Sequence, residues 1–197
     1  MIKKRNESWR KAGMIVFLLM IVIGFSVPLL LNPADQNAPK VVEPRVCQHD
    51  SDCYLTCDSG AISTLCYQNL CVQNSCAESS PFPYQPEAAS ITLTLVINRQ
   101  KILLSNQTSS ADFFVQFEED SVKLFSNRLS LAQILEKTGI STRFPCLTYL
   151  GVPYCVDDGH KLQFFVNGQE SYQYENYLPK AGDTIQIEYA STSFDKK

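Results

Sequence analysis

Eight cysteines and two histidines are the residues of this 197-residue chain best suited to chemistry, and their spacing decides which chemistry is open to them. Cys47, Cys53, Cys57, Cys66, Cys71 and Cys76 crowd into one short stretch; Cys146 and Cys155 stand apart downstream. No C-x-x-C occurs, which removes the usual spacing for zinc knuckles, thioredoxin-type exchange and c-type haem attachment. An even count in an oxidising compartment reads as a disulfide framework, with the pairing of the first six left open by sequence. Cys146 and Cys155 are expected to form one structural bridge. The alternative is a redox-active pair, or a metal site with His160, although redox pairs usually lie closer together in sequence.

His49 sits beside Asp50 and Asp52, and His160 follows Asp157-Asp158-Gly159. Asp50, Asp52 and Asp58 could ligate calcium. Asp-Ser and Asp-Gly runs more often mark solvated turns, and turn chemistry is the expectation here. Glu118-Glu119-Asp120 reads as a charged turn tip. The chain has no nucleophile elbow, phosphate-cradling glycine loop or HExxH. No catalytic residue, cofactor or metal is therefore expected, and the protein is not expected to be an enzyme. Tyr172, Tyr174 and Tyr177 follow the Asn167-Gly168 turn signal, and an exposed tyrosine row would make a binding surface. Asn106-Gln107-Thr108 is a sequon that admits glycosylation at Asn106.

The elements that must position these residues begin with the uncharged run Met14–Leu31, preceded by Lys3, Lys4, Arg5, Arg10 and Lys11. Its length approaches a bilayer's hydrocarbon thickness, and the basic flank places the N-terminus in the cytoplasm. The expectation is a single-pass membrane protein: cytoplasmic tail 1–13, transmembrane helix 14–31, and everything beyond extracytoplasmic. Cleavage as a secretory signal is the alternative. Beyond the basic tail the chain carries 12 basic and 19 acidic residues. That balance argues against nucleic acid as a partner, because phosphate neutralisation needs clustered Lys and Arg.

Residues 32–46, rich in proline and polar groups, read as a spacer. Residues 47–76 hold six cysteines and few other apolar side chains, so bridges rather than a core must support them. Residues 77–87 form a proline-rich linker. From there the pattern turns β-like: alternation over Ile91–Ile97, a return over Lys101–Leu104, strands near Phe113–Glu118 and Val122–Phe125. Ser130 caps a short helix over Leu131–Lys137 that stops at Gly139. A loop holding Cys146 and Cys155 follows, then strands at Leu162–Val166 and Asp183–Tyr189. The expected fold class is α+β: an N-terminal transmembrane helix, a small disulfide-rich module, and a domain over 88–190 with one helix on a mixed sheet, followed by a tail over 191–197.

Cys47-Gln-His-Asp-Ser-Asp52-Cys53 and its short-spaced followers resemble small cysteine-rich modules of secreted proteins. The series Leu129-Ser-Leu-Ala-Gln-Ile-Leu-Glu-Lys-Thr-Gly139, Phe165-Val-Asn-Gly168 and Leu178-Pro-Lys-Ala-Gly-Asp-Thr-Ile-Gln-Ile187 resembles the ubiquitin-like β-grasp fold, notably its sulfur-carrier and soluble-ligand-binding branches. It is also similar to uncharacterised prokaryotic surface proteins. The resemblance implies a β-grasp-like domain. It does not imply carrier chemistry, because the chain ends Ala190-Ser-Thr-Ser-Phe-Asp-Lys-Lys197 with no Gly-Gly. The resulting expectation is a binding or assembly protein with a partner protein in or on the membrane, such as an accessory subunit. A redox accessory using Cys146 and Cys155, or a self-associating stalk, are the alternatives.

Overall fold

The computed structural model describes residues 13–21, 43–105, 109–119 and 121–192. The chain divides into two units, Met1–Pro39 and Lys40–Lys197. In the first, residues 13–21 form a helix (α1) with every side chain exposed. Nine residues at 1.5 Å each span about 13 Å, under half of a bilayer's roughly 30 Å of hydrocarbon. Among the described residues no helix is long and apolar enough to cross a membrane. That finding corrects the transmembrane helix expected over 14–31 and the single-pass topology. Residues 22–31 lie outside the described residues, as do the expected tail 1–13 up to residue 12, the spacer up to residue 42, and 193–197 at the C-terminus.

The second unit opens with the cysteine module. A 3-10 turn at Asp50–Asp52 leads into β1 (Tyr54–Cys57), which pairs antiparallel with β2 (Gly60–Ser63); β3 (Cys66–Tyr67) pairs likewise with β4 (Leu70–Cys71). Three disulfides hold it: Cys47–Cys66, Cys53–Cys71 and Cys57–Cys76, pairing first with fourth, second with fifth and third with sixth. Cys47, Cys53, Cys66 and Cys71 are buried against one another as a small sulfur core. Leu65 is buried in the apolar core of the following domain, so the module is packed onto that domain as well as tethered to it.

Ten further strands follow: β5 (Ala89–Ile97), β6 (Gln100–Ile102), β7 (Val115–Phe117), β8 (Val122–Leu124), β9 (Ser141–Arg143), β10 (Cys146–Tyr149), β11 (Val152–Cys155), β12 (His160–Val166), β13 (Gln169–Glu170) and β14 (Thr184–Ser191). The large sheet runs β13-β12-β14-β5-β8-β7, with β6 also on β5. At its centre the first and last long strands, β5 and β14, lie parallel in the register Leu93–Ile185 and Leu95–Ile187; all other pairs are antiparallel. Alternation puts Ile91, Leu93, Leu95 and Ile97 of β5 with Ile185, Ile187 and Tyr189 of β14 on the buried face. The helix α2 (Leu131–Glu136) supplies Leu131, Ile134 and Leu135 to the same core. Its start is set by the Gln133 side chain, which accepts the Ser130 N–H (2.8 Å), and its end by Gly139 at φ 71°.

The expected α+β class with a single helix is corrected as well. The described residues are mostly β, with two helices, and α2 is only six residues long. Much of the difference lies in segments expected as loops. The stretch expected to be a loop around Cys146 and Cys155 is a three-stranded sheet, β11-β10-β9, and the cysteine module contains two hairpins. Short strands of two to four residues carry too little alternation to be seen in sequence.

Candidate functional site

The hairpin β10–β11 begins from paired cysteines. Cys146 and Cys155 face each other in register and are bridged, which ties the two strands at their base. The inner face carries Leu147, fully buried, with half-buried Tyr149 and Tyr154 packed on the core. Tyr154 meets Tyr189 edge-on, and the Tyr189 hydroxyl donates to the Cys155 carbonyl (3.3 Å). The hairpin is thus anchored by its body. Its tip is different: Leu150 and Gly151 form the turn, both with positive φ (50° and 77°).

Two-residue hairpin turns with both residues left-handed favour Asn-Gly, and the same geometry recurs here at Asn167-Gly168. At the β10–β11 tip the first position is instead a leucine, 75% exposed. Placing a γ-branched apolar residue there gains little for folding, since most of it stays in solvent and its left-handed backbone is strained. Around it lie more exposed apolar groups: Val152 beside the tip, and Phe144 and Val156 flanking the base. Val156 N–H donates to the Pro145 carbonyl (3.0 Å), closing the base, and the Phe144–Pro145 bond is cis.

Phe144 connects this hairpin to the tyrosine segment. Its ring stacks on Tyr174 with centroids 4.2 Å apart, and its N–H donates to the Glu175 carboxylate (3.2 Å). The structure thus separates the three tyrosines. Tyr172 is 76% exposed, while Tyr174 is half-buried in the stack with Phe144 and has a left-handed backbone (φ 44°) within the 3-10 turn Tyr174–Asn176. Tyr177 packs edge-on against buried Phe164, and its hydroxyl donates to Asp183 (2.7 Å). Burial, with the Asp183 carboxylate beside it, pushes the Tyr177 hydroxyl up to about 12. At Asp183 burial alone would raise the carboxyl. The hydrogen bonds from Tyr177, the Lys180 N–H and Asn167 together hold it below its ordinary value. Exposed Leu178 completes the surface.

Beneath Phe144 and Tyr174 lies a cavity of about 20 Å³ walled by Leu147, Leu162 and Phe164, with room for roughly one water and far below a ligand pocket. A larger depression of about 470 Å³, lined by Asn98, Arg99, Lys161, Gln163 and Glu188, opens on the polar face of the sheet. What the hairpin region offers is therefore an exposed apolar surface rather than a small-molecule pocket.

The histidine–aspartate residues fall into several settings rather than one site. Asp157 accepts from the Gly159 N–H (2.8 Å) and pairs with His160 (2.9 Å) in an exposed turn, and these contacts hold its carboxyl below the usual range. Asp158 and Asp58 are exposed in turns. Asp52 caps its own turn by accepting the Gln48 and His49 N–H groups, which likewise lowers it. Asp50 is fully buried instead, held by Lys137 and by backbone N–H groups, with Asp112 and His49 alongside. Asp50, Asp52 and Asp58 thus form no joint calcium site. The Sγ atoms of Cys47, Cys53 and Cys71 lie within 4.8 Å of one another, a spacing a metal could use, but all three are bridged and offer no thiolate. Glu118 pairs with Lys123 and accepts from Ser121, which lowers its carboxyl; Asp120 and the Asn106 sequon lie outside the described residues.

Sequence reasoning missed Leu150, Asp112 and Lys137. A leucine before glycine between two short β-rich runs was the available signal for the first. The other two carried none, since each is an ordinary polar residue whose partner lies far along the chain. The four disulfides mark a cysteine-rich protein of an oxidising, extracellular setting. No protein-family model matches the chain, and no curated protein shows significant similarity to it.

Proposed function

We propose that this is an extracellular binding or assembly protein, without catalysis of its own, that recognises a protein partner through the β10–β11 hairpin tip and the neighbouring Phe144–Tyr172 surface. The observation that carries this reading is Leu150: an apolar side chain, 75% exposed, held in a strained turn position where Asn or Gly would serve folding better. The Cys146–Cys155 bridge and the buried face of the hairpin pre-organise that tip, which lowers the ordering cost of binding. Exposed aromatic and aliphatic groups clustered on a rigid base are the usual anchors of an interface.

We further read the Ala89–Ser191 region as a β-grasp-type domain. In support, its first and last long strands pair in parallel at the centre, a helix covers one face, and hairpin strands flank each side. The fold itself names no activity.

The test compares the full chain with its Leu150→Gly variant. Both are used as bait on extracts of the native organism, with crosslinking to map contacts. A partner retained by the wild type, crosslinked near Leu150 and lost with Leu150→Gly, is the expected result. Identical capture by both proteins overturns the reading. Sedimentation of the wild type identifies the case in which the partner is a second copy of the chain.

A further inference from the structure

The junction between the cysteine module and the β domain buries three charged side chains in mutual contact. Lys137, at the end of α2, has a side chain only 6% exposed; Asp50 is 0% exposed and Asp112 is 6% exposed. Lys137 Nζ lies 2.6 Å from Asp50 Oδ1, 3.3 Å from Asp112 Oδ1, and donates to the Cys66 carbonyl at 2.9 Å. Asp50 Oδ1 also accepts the Cys66 N–H (3.0 Å), Oδ2 accepts the Phe114 N–H (3.2 Å), and the Asp50 N–H donates to Asp112 Oδ1 (3.1 Å). On the outer side His49 Nδ1 lies 3.4 Å from Asp112 Oδ2.

An amine, a carboxyl carbon one bond from its contact atom, a second carboxylate able to move a proton, and an N–H on the oxygen that would gain charge make a complete acyl-transfer arrangement within one chain. From this geometry we infer that Lys137 and Asp50 condense into an isopeptide bond, with Asp112 as the proton carrier. Asp112 Oδ1 takes a proton from the Lys137 ammonium, and the freed amine attacks Asp50 Cγ. The Phe114 N–H stabilises the charge that develops on Oδ2. The Nζ–Cγ bond forms and the Cγ–Oδ1 bond breaks; Oδ1 leaves as water with two of the three ammonium protons, one of them carried by Asp112. The amide keeps the third, and no external reactant is consumed. Burial favours the step, because it replaces two desolvated charges by a neutral amide and excludes the water that would reverse it. The product locks Asp50 to a residue 87 positions away and fastens the cysteine module to the β domain independently of any disulfide.

Intact-mass spectrometry of the full chain, exported so that its bridges form and then denatured and fully reduced, decides the matter. The expected mass is about 18 Da below that of the reduced sequence, one water. Digestion is expected to give a branched peptide joining the segments around Asp50 and Lys137. Lys137→Arg restores the full mass. Asp50→Asn, which offers ammonia as leaving group, shows a loss of about 17 Da at the same branch. Asp112→Ala slows the mass change during refolding of the denatured, reduced, newly synthesised chain. A wild type with the full sequence mass, or a water loss mapped to another residue, overturns the inference. The mass readout on the wild type is independent of whether any variant folds.

Discussion

The cysteine module and the β domain sit side by side and are stabilised by different means. The module's fully buried apolar groups are largely its own sulfur atoms, and its hairpins have strands of two to four residues. The β domain has a continuous core from β5, β14, β12 and α2. One unit is held by restricting its unfolded chain and the other by removing apolar surface from water. The contrast teaches why their junction adds charge to apolar contact: Leu65 enters the shared core with Tyr67 packed against it, and Lys137, Asp50 and Asp112 supply further specificity.

The largest test of that contrast is full reduction. Each module bridge closes a loop of 18 or 19 residues and contributes about 3 kcal/mol in the chain-entropy model. Hydrogen exchange on the reduced chain is expected to show the Cys47–Cys76 segment unprotected while β5, β12 and β14 stay protected. Loss of protection everywhere at once would remove the distinction. In the opposite direction, Phe114→Ala empties a fully buried position of the β domain and should cost about 4 kcal/mol by urea unfolding, with the module bridges intact.

Lys137→Met probes the junction. It removes the bond to Asp50 and leaves Asp50 and Asp112 buried as carboxylates without the Lys137 nitrogen, and should cost at least about 3 kcal/mol and release the module before the β domain melts. A single coincident transition at unchanged stability would show that the charges are incidental.

A smaller effect is expected at Tyr177. Its hydroxyl titrates higher in the folded chain (about 12) than in the unfolded one (about 10), so its contribution is complete below about pH 10 and is lost as pH rises toward 12. Asp183, held low, contributes above about pH 4 and loses that contribution as pH falls through its folded pKa. Tyr177→Phe should cost about 1 kcal/mol at neutral pH and flatten the alkaline limb of a stability–pH curve. The smallest effect has the opposite sign: Leu150→Gly should raise stability by up to about 1 kcal/mol in a thermal melt, because it relieves the left-handed turn. Destabilisation by that variant would mean that Leu150 supports the fold.

What was legible in sequence follows the range over which each signal acts. The alternation in Ile91–Ile97 and Asp183–Tyr189 identified β5 and β14, because side-chain direction repeats every two residues along a strand. Ser130 and Gly139 bounded α2 closely, since both act within one helical turn. The β9–β11 sheet escaped detection because its strands are three or four residues long and its charge, proline and tyrosine content resembles a loop. The long run from Met14 was read from its apolarity, its length and its basic flank, and the described helix there covers nine residues, 13–21. Of the candidate site, Phe144 was unmarked, and Tyr172, Tyr174 and Tyr177 were singled out together although only Tyr172 is freely exposed.

By itself the sequence determined the disulfide chemistry, the main strands and the capped helix, because cysteine spacing, alternation and capping act through neighbouring residues. Only the tertiary structure decided which cysteine meets which, that Asp50 is buried with Lys137 rather than solvated in a turn, and that Leu150 points outward from a stapled hairpin. Those outcomes depend on segments tens of residues apart closing into contact. What brings them together is burial of the whole core, which no short stretch of residues encodes.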